Sequence, residues 1–187
     1  GSRFLLPDNA VQRLLAKALG EARDAASTLP HKCEFDTLRA HHESITAALA
    51  LLLSLTTGHR LAKVYSYRVD ALDLTLGGGA AIVSDKVTVE YHRRRIVPLT
   101  DFVVRWLRFY FSWTSVLAHR LERINRALAH QVAQVRPTHP EGESIPVLFH
   151  LSARQEFIPA GSNILNRILF NLQTTNALGR HWLDRVL

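Results

Sequence analysis

The runs Ala81-Ile82-Val83, Val87-Thr88-Val89 and Arg95-Ile96-Val97-Pro98 decide how this chain is read. Ahead of them the apolar residues recur every three to four positions, as they do on helices. Here the period shortens and β-branched residues cluster, as they do on strands. Val69, Ala71, Leu72 and Leu74 lead in, and Gly77-Gly78-Gly79 is a strong turn signal. Residues 68–98 therefore predict a three-stranded antiparallel sheet, which Pro98 ends.

Working outward, helical spacing returns on both sides. Pro7-Asp8-Asn9 starts a helix carried by Val11, Leu14, Leu15, Ala18 and Leu19, and Thr28 to Lys32 reads as a connection. A second helix begins near Asp36 and runs through Ile45, Leu49, Leu52 and Leu53. Its last turns are apolar on every side, which predicts a central place in the core. Gly58 is set to end it in the left-handed conformation, and a short helix from Arg60 to Tyr67 follows. Past the sheet, one long helix is expected from Asp101 to about Val135. Val104, Leu107, Phe111, Val116, Leu117, Leu121, Ile124 and Leu128 form its buried stripe, while Trp106 and Trp113 read as core. Pro137, Pro140, Gly142 and Pro146 mark a loop, and Pro146 to Phe149 a short extended piece. Ser162 caps a helix through Leu172, and a last helix starts near Thr175. The expected fold is mainly α with a small three-stranded antiparallel sheet (α+β). Residues 1–35 form a leading helical segment and residues 36–187 one domain.

The 187 residues are 47% hydrophobic and 21% charged, which excludes disorder, collagen-like repeats and a disulfide scaffold as whole-chain readings. Cys33 is the single cysteine, so no internal disulfide is available and a reducing, cytoplasmic setting is expected. The longest apolar run, Ile45 to Leu55, falls well short of the roughly 20 residues of a membrane span, and no signal-peptide pattern is present. Gly1-Ser2 reads as a cleavage scar. With no initiating Met, the sequence reads as a piece of a longer chain.

The net charge of +7 is local. Residues 1–85 and 137–187 are each charge-balanced. Residues 86–136 carry Lys86, Arg93, Arg94, Arg95, Arg105, Arg108, Arg120, Arg123, Arg126 and Arg136 against Glu90, Asp101 and Glu122. A localised basic excess favours a polyanionic partner, since each neutralised phosphate releases counterions. The plain alternative is a solvated basic helix face. His31, Cys33, His41 and His42 are metal-ligating types, but their spacing matches no structural zinc pattern.

Four short motifs then stand in order. Thr57-Gly58-His59-Arg60 follows an apolar helix and leads through Arg68 to Asp73-Leu74. Lys86 sits within the sheet segment. Arg95-Ile96-Val97-Pro98-Leu99 runs into a helix. Leu148-Phe149-His150 precedes Ala177-Leu178-Gly179-Arg180-His181. In this order, over roughly residues 40–187, they resemble the catalytic domain of the tyrosine recombinase (phage integrase) family.

The resemblance implies cleavage and rejoining of double-stranded DNA through a 3′-phosphotyrosyl link, with members acting as tetramers on two duplexes and without a cofactor. The phosphorane transition state gains negative charge, and a planar guanidinium can clamp two of its oxygens at once. By resemblance Arg60 and Arg180 take that role, Lys86 protonates the departing 5′-oxygen, and His181 supports Arg180 or the phosphate. Arg93, Arg94 and Arg95 would contact the DNA backbone. Three positions depart from the family pattern. Ala177 stands where the first His of the second box belongs, and Lys63 where Glu is usual. The nucleophilic Tyr is expected downstream of Leu187, since Tyr65, Tyr67, Tyr91 and Tyr110 match strand, helix and hairpin positions. This chain alone is therefore not expected to cleave DNA. Two other readings stay open: a non-catalytic DNA-binding module of the same fold, and a helical domain whose basic face binds an acidic protein.

Overall fold

The computed structural model describes residues 8–30, 32–58, 64, 67–74, 79–84, 94–137 and 145–161. It is mainly helical with a small three-stranded antiparallel sheet. Helix α1 (Asp8–Ser27) packs on α2 (Phe35–Thr57) through Leu14, Ala18, Leu19 and Ala22. Every residue of α2 from Ile45 to Ser54 is buried, so its second half runs through the middle of the core, as its all-round apolar sequence requires. Gly58 closes α2 with φ +66°, in the left-handed region. Most of the short helix expected over Arg60 to Tyr67 lies outside the described residues.

A single 3-10 turn (Val69–Ala71) leads into the sheet, whose strands are β1 (Leu72–Asp73), β2 (Gly79–Ser84) and β3 (Arg94–Leu99) in the order β1-β2-β3. The β2–β3 register runs from Gly79↔Leu99 to Ser84↔Arg94. Ala81, Val97 and Leu99 face the core, while the opposed pair Ile82 and Ile96 faces outward. Pro98 does not end the sheet: it lies inside β3, paired with Ala80. Among the described strands β3 is an outer one, where a missing N–H costs no ladder bond. Gly79 starts β2 rather than only turning the chain. A Cβ there would sit 2.6 Å from the Val104 Cγ2, so glycine lets the strand approach the following helix. Val87 to Val89 lie outside the described residues.

Thr100 caps α3 (Asp101–Leu121), its hydroxyl accepting from the Val103 N–H. The long helix expected to reach Val135 is two helices. The chain turns at Glu122 to Ile124, and α4 (Arg126–Ala133) starts anew with the Asn125 side chain accepting from the Leu128 N–H. Asn competes for helical N–H groups, which makes it a good cap and a poor helix interior. The buried stripe changes accordingly. Leu107, Phe111, Leu117, Leu121 and Leu128 are buried, whereas Val116 is 45% and Ile124 37% exposed. Trp106 and Trp113 are buried.

The last described elements form a hairpin of β4 (Phe149–Leu151) and β5 (Phe157–Pro159). Ser152 organises its turn, where its hydroxyl accepts from the Arg154 and Glu156 N–H groups and Gln155 takes φ +62°. Of the extended piece expected over Pro146 to Phe149, Pro146 forms an isolated bridge to Arg68, the chain bends at Val147 and Leu148, and the strand begins only at Phe149.

One polar cluster joins these parts. The Trp113 Nε1–H of α3 donates to the Nδ1 of His42 at 3.2 Å, on the buried α2. An indole nitrogen only donates, so the imidazole proton sits on Nε2, which donates to the Phe149 carbonyl of β4 at 3.0 Å. The Tyr110 hydroxyl donates to the Val147 carbonyl at 3.0 Å, and the Val147 N–H returns to the Tyr67 carbonyl at 2.9 Å. Burial holds the Tyr110 phenol well above its usual range and pushes His42 down to about 3, so the imidazole is neutral in the fold.

Two outcomes follow from these local structures. His42 titrates near 6.5 when unfolded, so its contribution to stability is complete above that pH. As the pH falls from 6.5 toward about 3, the unfolded chain takes up the proton first, and stability drops by about 1.4 kcal/mol per pH unit. Unfolding free energies from urea titrations at pH 7 and 5 should therefore differ by roughly 2 kcal/mol. His42→Gln, which keeps a donor and an acceptor but does not titrate, should flatten that difference. Gly58→Ala should cost about 1 kcal/mol in the same assay, because the left-handed backbone disfavours a Cβ.

Candidate functional site

The described part of the sheet ends where the basic segment begins. The described β2–β3 ladder runs as far as the Ser84↔Arg94 pair, next to Val83↔Arg95. Arg94 and Arg95 thus occupy the first two positions of β3, at the end of the ladder farthest from α3. Of the residues assigned by resemblance, these two alone fall on described backbone. Arg60, Lys86, Arg93, Arg180 and His181 lie outside the described residues, as do Lys63 and Ala177. Two of the four tyrosines are described, and both are core residues: Tyr110 is fully buried on Val147, and the Tyr67 hydroxyl donates to Thr57 Oγ1 at 3.3 Å.

The other described cations of the basic segment take separate positions. The Arg108 guanidinium donates to the Leu74 carbonyl at 2.9 Å, which ties α3 to the end of β1. Arg126 and Arg136 are exposed on and after α4. Arg105 and Arg120 stand on the margin of α3 that looks toward α1 and the α1–α2 connection, and Arg123 lies in the turn just beyond α3.

That margin holds two hollows. Near the start of α3, Arg23 of α1 lies over the Trp106 ring, 4.9 Å from its centroid, and Phe109 meets Trp106 edge-on at 5.1 Å. Phe102 and Arg105 complete this hollow of about 380 Å³. Toward the end of α3, Lys32 and Cys33 face Val116, Arg120, Arg123 and Ile124 across a groove of about 790 Å³. His119, also on its lining, sits 3.6 Å from Glu122. Reading α3 as one long amphipathic helix hides this surface, because it puts Val116 and Leu117 on one stripe. Adjacent residues sit about 100° apart on a helix, and here Leu117 turns into the core while Val116 stays 45% exposed.

The residues read as metal-ligating types have other partners. His42 is consumed by the core cluster, and His41 Nδ1 lies 2.6 Å from the Ala25 carbonyl. Cys33 is half-buried, and His31 is outside the described residues. Among the described residues no three His, Cys, Asp or Glu side chains come together as a metal site, and no helix is long and apolar enough to cross a membrane.

Compared with protein families, curated proteins and solved structures, the chain matches none.

The placement of α3 predicts opposite responses at neighbouring positions. Leu117→Ala should cost about 2–5 kcal/mol, as buried Leu truncations do. Val116→Ser should stay within about 0.5 kcal/mol. Equal losses in thermal or urea melts would mean that α3 is rotated from this position.

Proposed function

We propose that the chain is the DNA-binding and phosphate-binding part of a tyrosine-recombinase-type catalytic domain, acting on double-stranded DNA as a tetramer. One observation carries this reading. The described elements follow one another in the order that the first three motifs require. α2 stops at a left-handed Gly58 two residues ahead of Arg60. β2 and β3 pair up to Ser84 and Arg94, with Lys86 in the connecting sequence. β3 carries Arg95 to Leu99 and passes through the Thr100 cap directly into α3.

In this proposal Arg60 and Arg180 neutralise the non-bridging oxygens of the scissile phosphate, and the charge they meet grows in the transition state. Lys86 gives its proton to the departing 5′-oxygen, and His181 orients Arg180 or the phosphate. Arg93, Arg94 and Arg95 hold the backbone of the duplex. The two described tyrosines are committed to the core, which fits a nucleophile supplied by sequence beyond Leu187.

A second reading keeps the fold and the DNA but drops the chemistry. Ala177 in place of the family's His favours it. One set of measurements separates the readings. The native gene product, with any sequence that follows Leu187, is incubated with its duplex site selected from random DNA, and covalent adduct is scored on denaturing gels. Arg60→Ala and Arg180→Ala should abolish the adduct while duplex binding persists, and Lys86→Ala should slow its formation by about 10²–10⁴-fold. Binding without any adduct favours the non-catalytic module. No salt-dependent binding to duplex at low ionic strength overturns both readings.

A further inference from the structure

The margin of α3 facing α1 and the α1–α2 connection is apolar and cationic at once. Phe102 and Val116 are 42% and 45% exposed, and half-buried Phe109 lies between them, seven residues from each. That is the spacing of a helix-packing seam. Ile124, 37% exposed, extends the row past the end of α3. Around the two hollows stand Arg23, Arg105, Lys32, Arg120 and Arg123, and among the described residues neither hollow is lined by an Asp or Glu. From Phe102 to Val116 the row covers about 21 Å, at 1.5 Å per residue.

We propose that this face is a docking groove for an amphipathic helix with acidic flanks, contributed by another protein. The cations select an anionic occupant. The exposed side chains select one with apolar surface of its own, since burying Phe102, Val116 and Ile124 gains nothing against the phosphate backbone of a duplex. Aromatic residues and Arg are the types that protein interfaces concentrate. A row along one helix, lying beside a groove, fits a helix bound through residues at seven-residue spacing. The occupant thus places Leu-like side chains against Phe102, Phe109 and Val116. Its carboxylates meet Arg105 and Arg23 at one end, and Lys32, Arg120 and Arg123 at the other. None of the residues assigned to DNA cleavage is among those used here, and the proposal does not depend on that assignment.

The test uses two labelled probes on the intact chain, read by fluorescence anisotropy. One is a helical peptide of about 20 residues, with Leu at seven-residue spacing flanked by Glu. The other is a random-sequence duplex. The peptide should bind at low salt, and a matched peptide flanked by Lys should not. The double variant Phe102→Ser/Val116→Ser removes apolar surface without changing charge. It should weaken the Glu peptide at least tenfold and change duplex affinity less than twofold, with its fold checked by circular dichroism. Arg120→Ala/Arg123→Ala should weaken the same peptide and reduce its salt dependence. Failure of the Glu peptide to bind overturns the proposal, and so does equal binding of the Lys peptide. An equal loss of duplex binding in the Ser variant would make the face a nucleic-acid surface. Self-association of the chain that this variant abolishes would make the occupant a second copy. Either result also overturns the proposal.

Discussion

A neutral imidazole sealed between three elements sets the geometry of this fold. His42 lies on the most buried helix, receives a hydrogen bond from Trp113 and gives one to the Phe149 carbonyl. In a low-dielectric core each of these groups is costly when unpaired, so α2, α3 and β4 must meet in one relative position. The rings reinforce that position. His42 and Phe149 have centroids 4.2 Å apart, and Phe149 stacks on Phe157 of β5 at 4.5 Å. Tyr110 adds a parallel link one turn earlier on α3, through the Val147 carbonyl. Val147 in turn bonds Tyr67, so the chain leaving α2 and the chain entering β4 are held side by side.

That arrangement bears on function through what it leaves at the ends of elements. α2 is fixed along its buried half and finishes at Gly58, close in sequence to Arg60. The sheet is anchored by inward Ala81, Val97 and Leu99, while its far end, at Ser84 and Arg94, leads into the basic segment. A rigid core with chemistry-bearing residues at strand and helix ends is how many folds present a site. The net charge of +7 follows a different plan. The segment that holds it in sequence is divided in space between β3, the side of α3 that meets Leu74, the margin of α3 that faces α1, and the surface of α4. A basic run along the chain is therefore not one basic patch on the molecule.

Much of the architecture was legible in the residues. The all-apolar second half of α2, the left-handed Gly58 and the strand-like runs around Val97 each reflect a local rule acting without opposition. Three features escaped. The break at Asn125 was hidden because apolar spacing continues across it, although an Asn inside a helical pattern is itself a cap signal. The strand β5 was hidden because its hairpin turn uses Ser152 and a left-handed Gln155 in place of glycine. Pro98 looked like a terminator because the sequence does not say which strand is outermost. Of the candidate site, the motifs and the order of their elements were legible, whereas the cationic groove beside α3 was not. It depends on Lys32 and Arg23 meeting α3 from parts of the chain far away in sequence.

By itself, then, the sequence determined that the α1, α2 and α3 segments are helical and the β2 and β3 segments strands, where α2 must stop and that α2 must be central. Those are consequences of period, hydrophobicity and backbone conformation within about twenty residues. Only the tertiary structure decided that His42, chemically a metal ligand or a proton carrier, is a neutral bridge in the core. The choice was made by an indole and a carbonyl from distant segments that happen to close around it. The same holds for α3. Its sequence offers several apolar faces, and the packing of α2 against it selects Leu117 for the core and leaves Val116 at the surface.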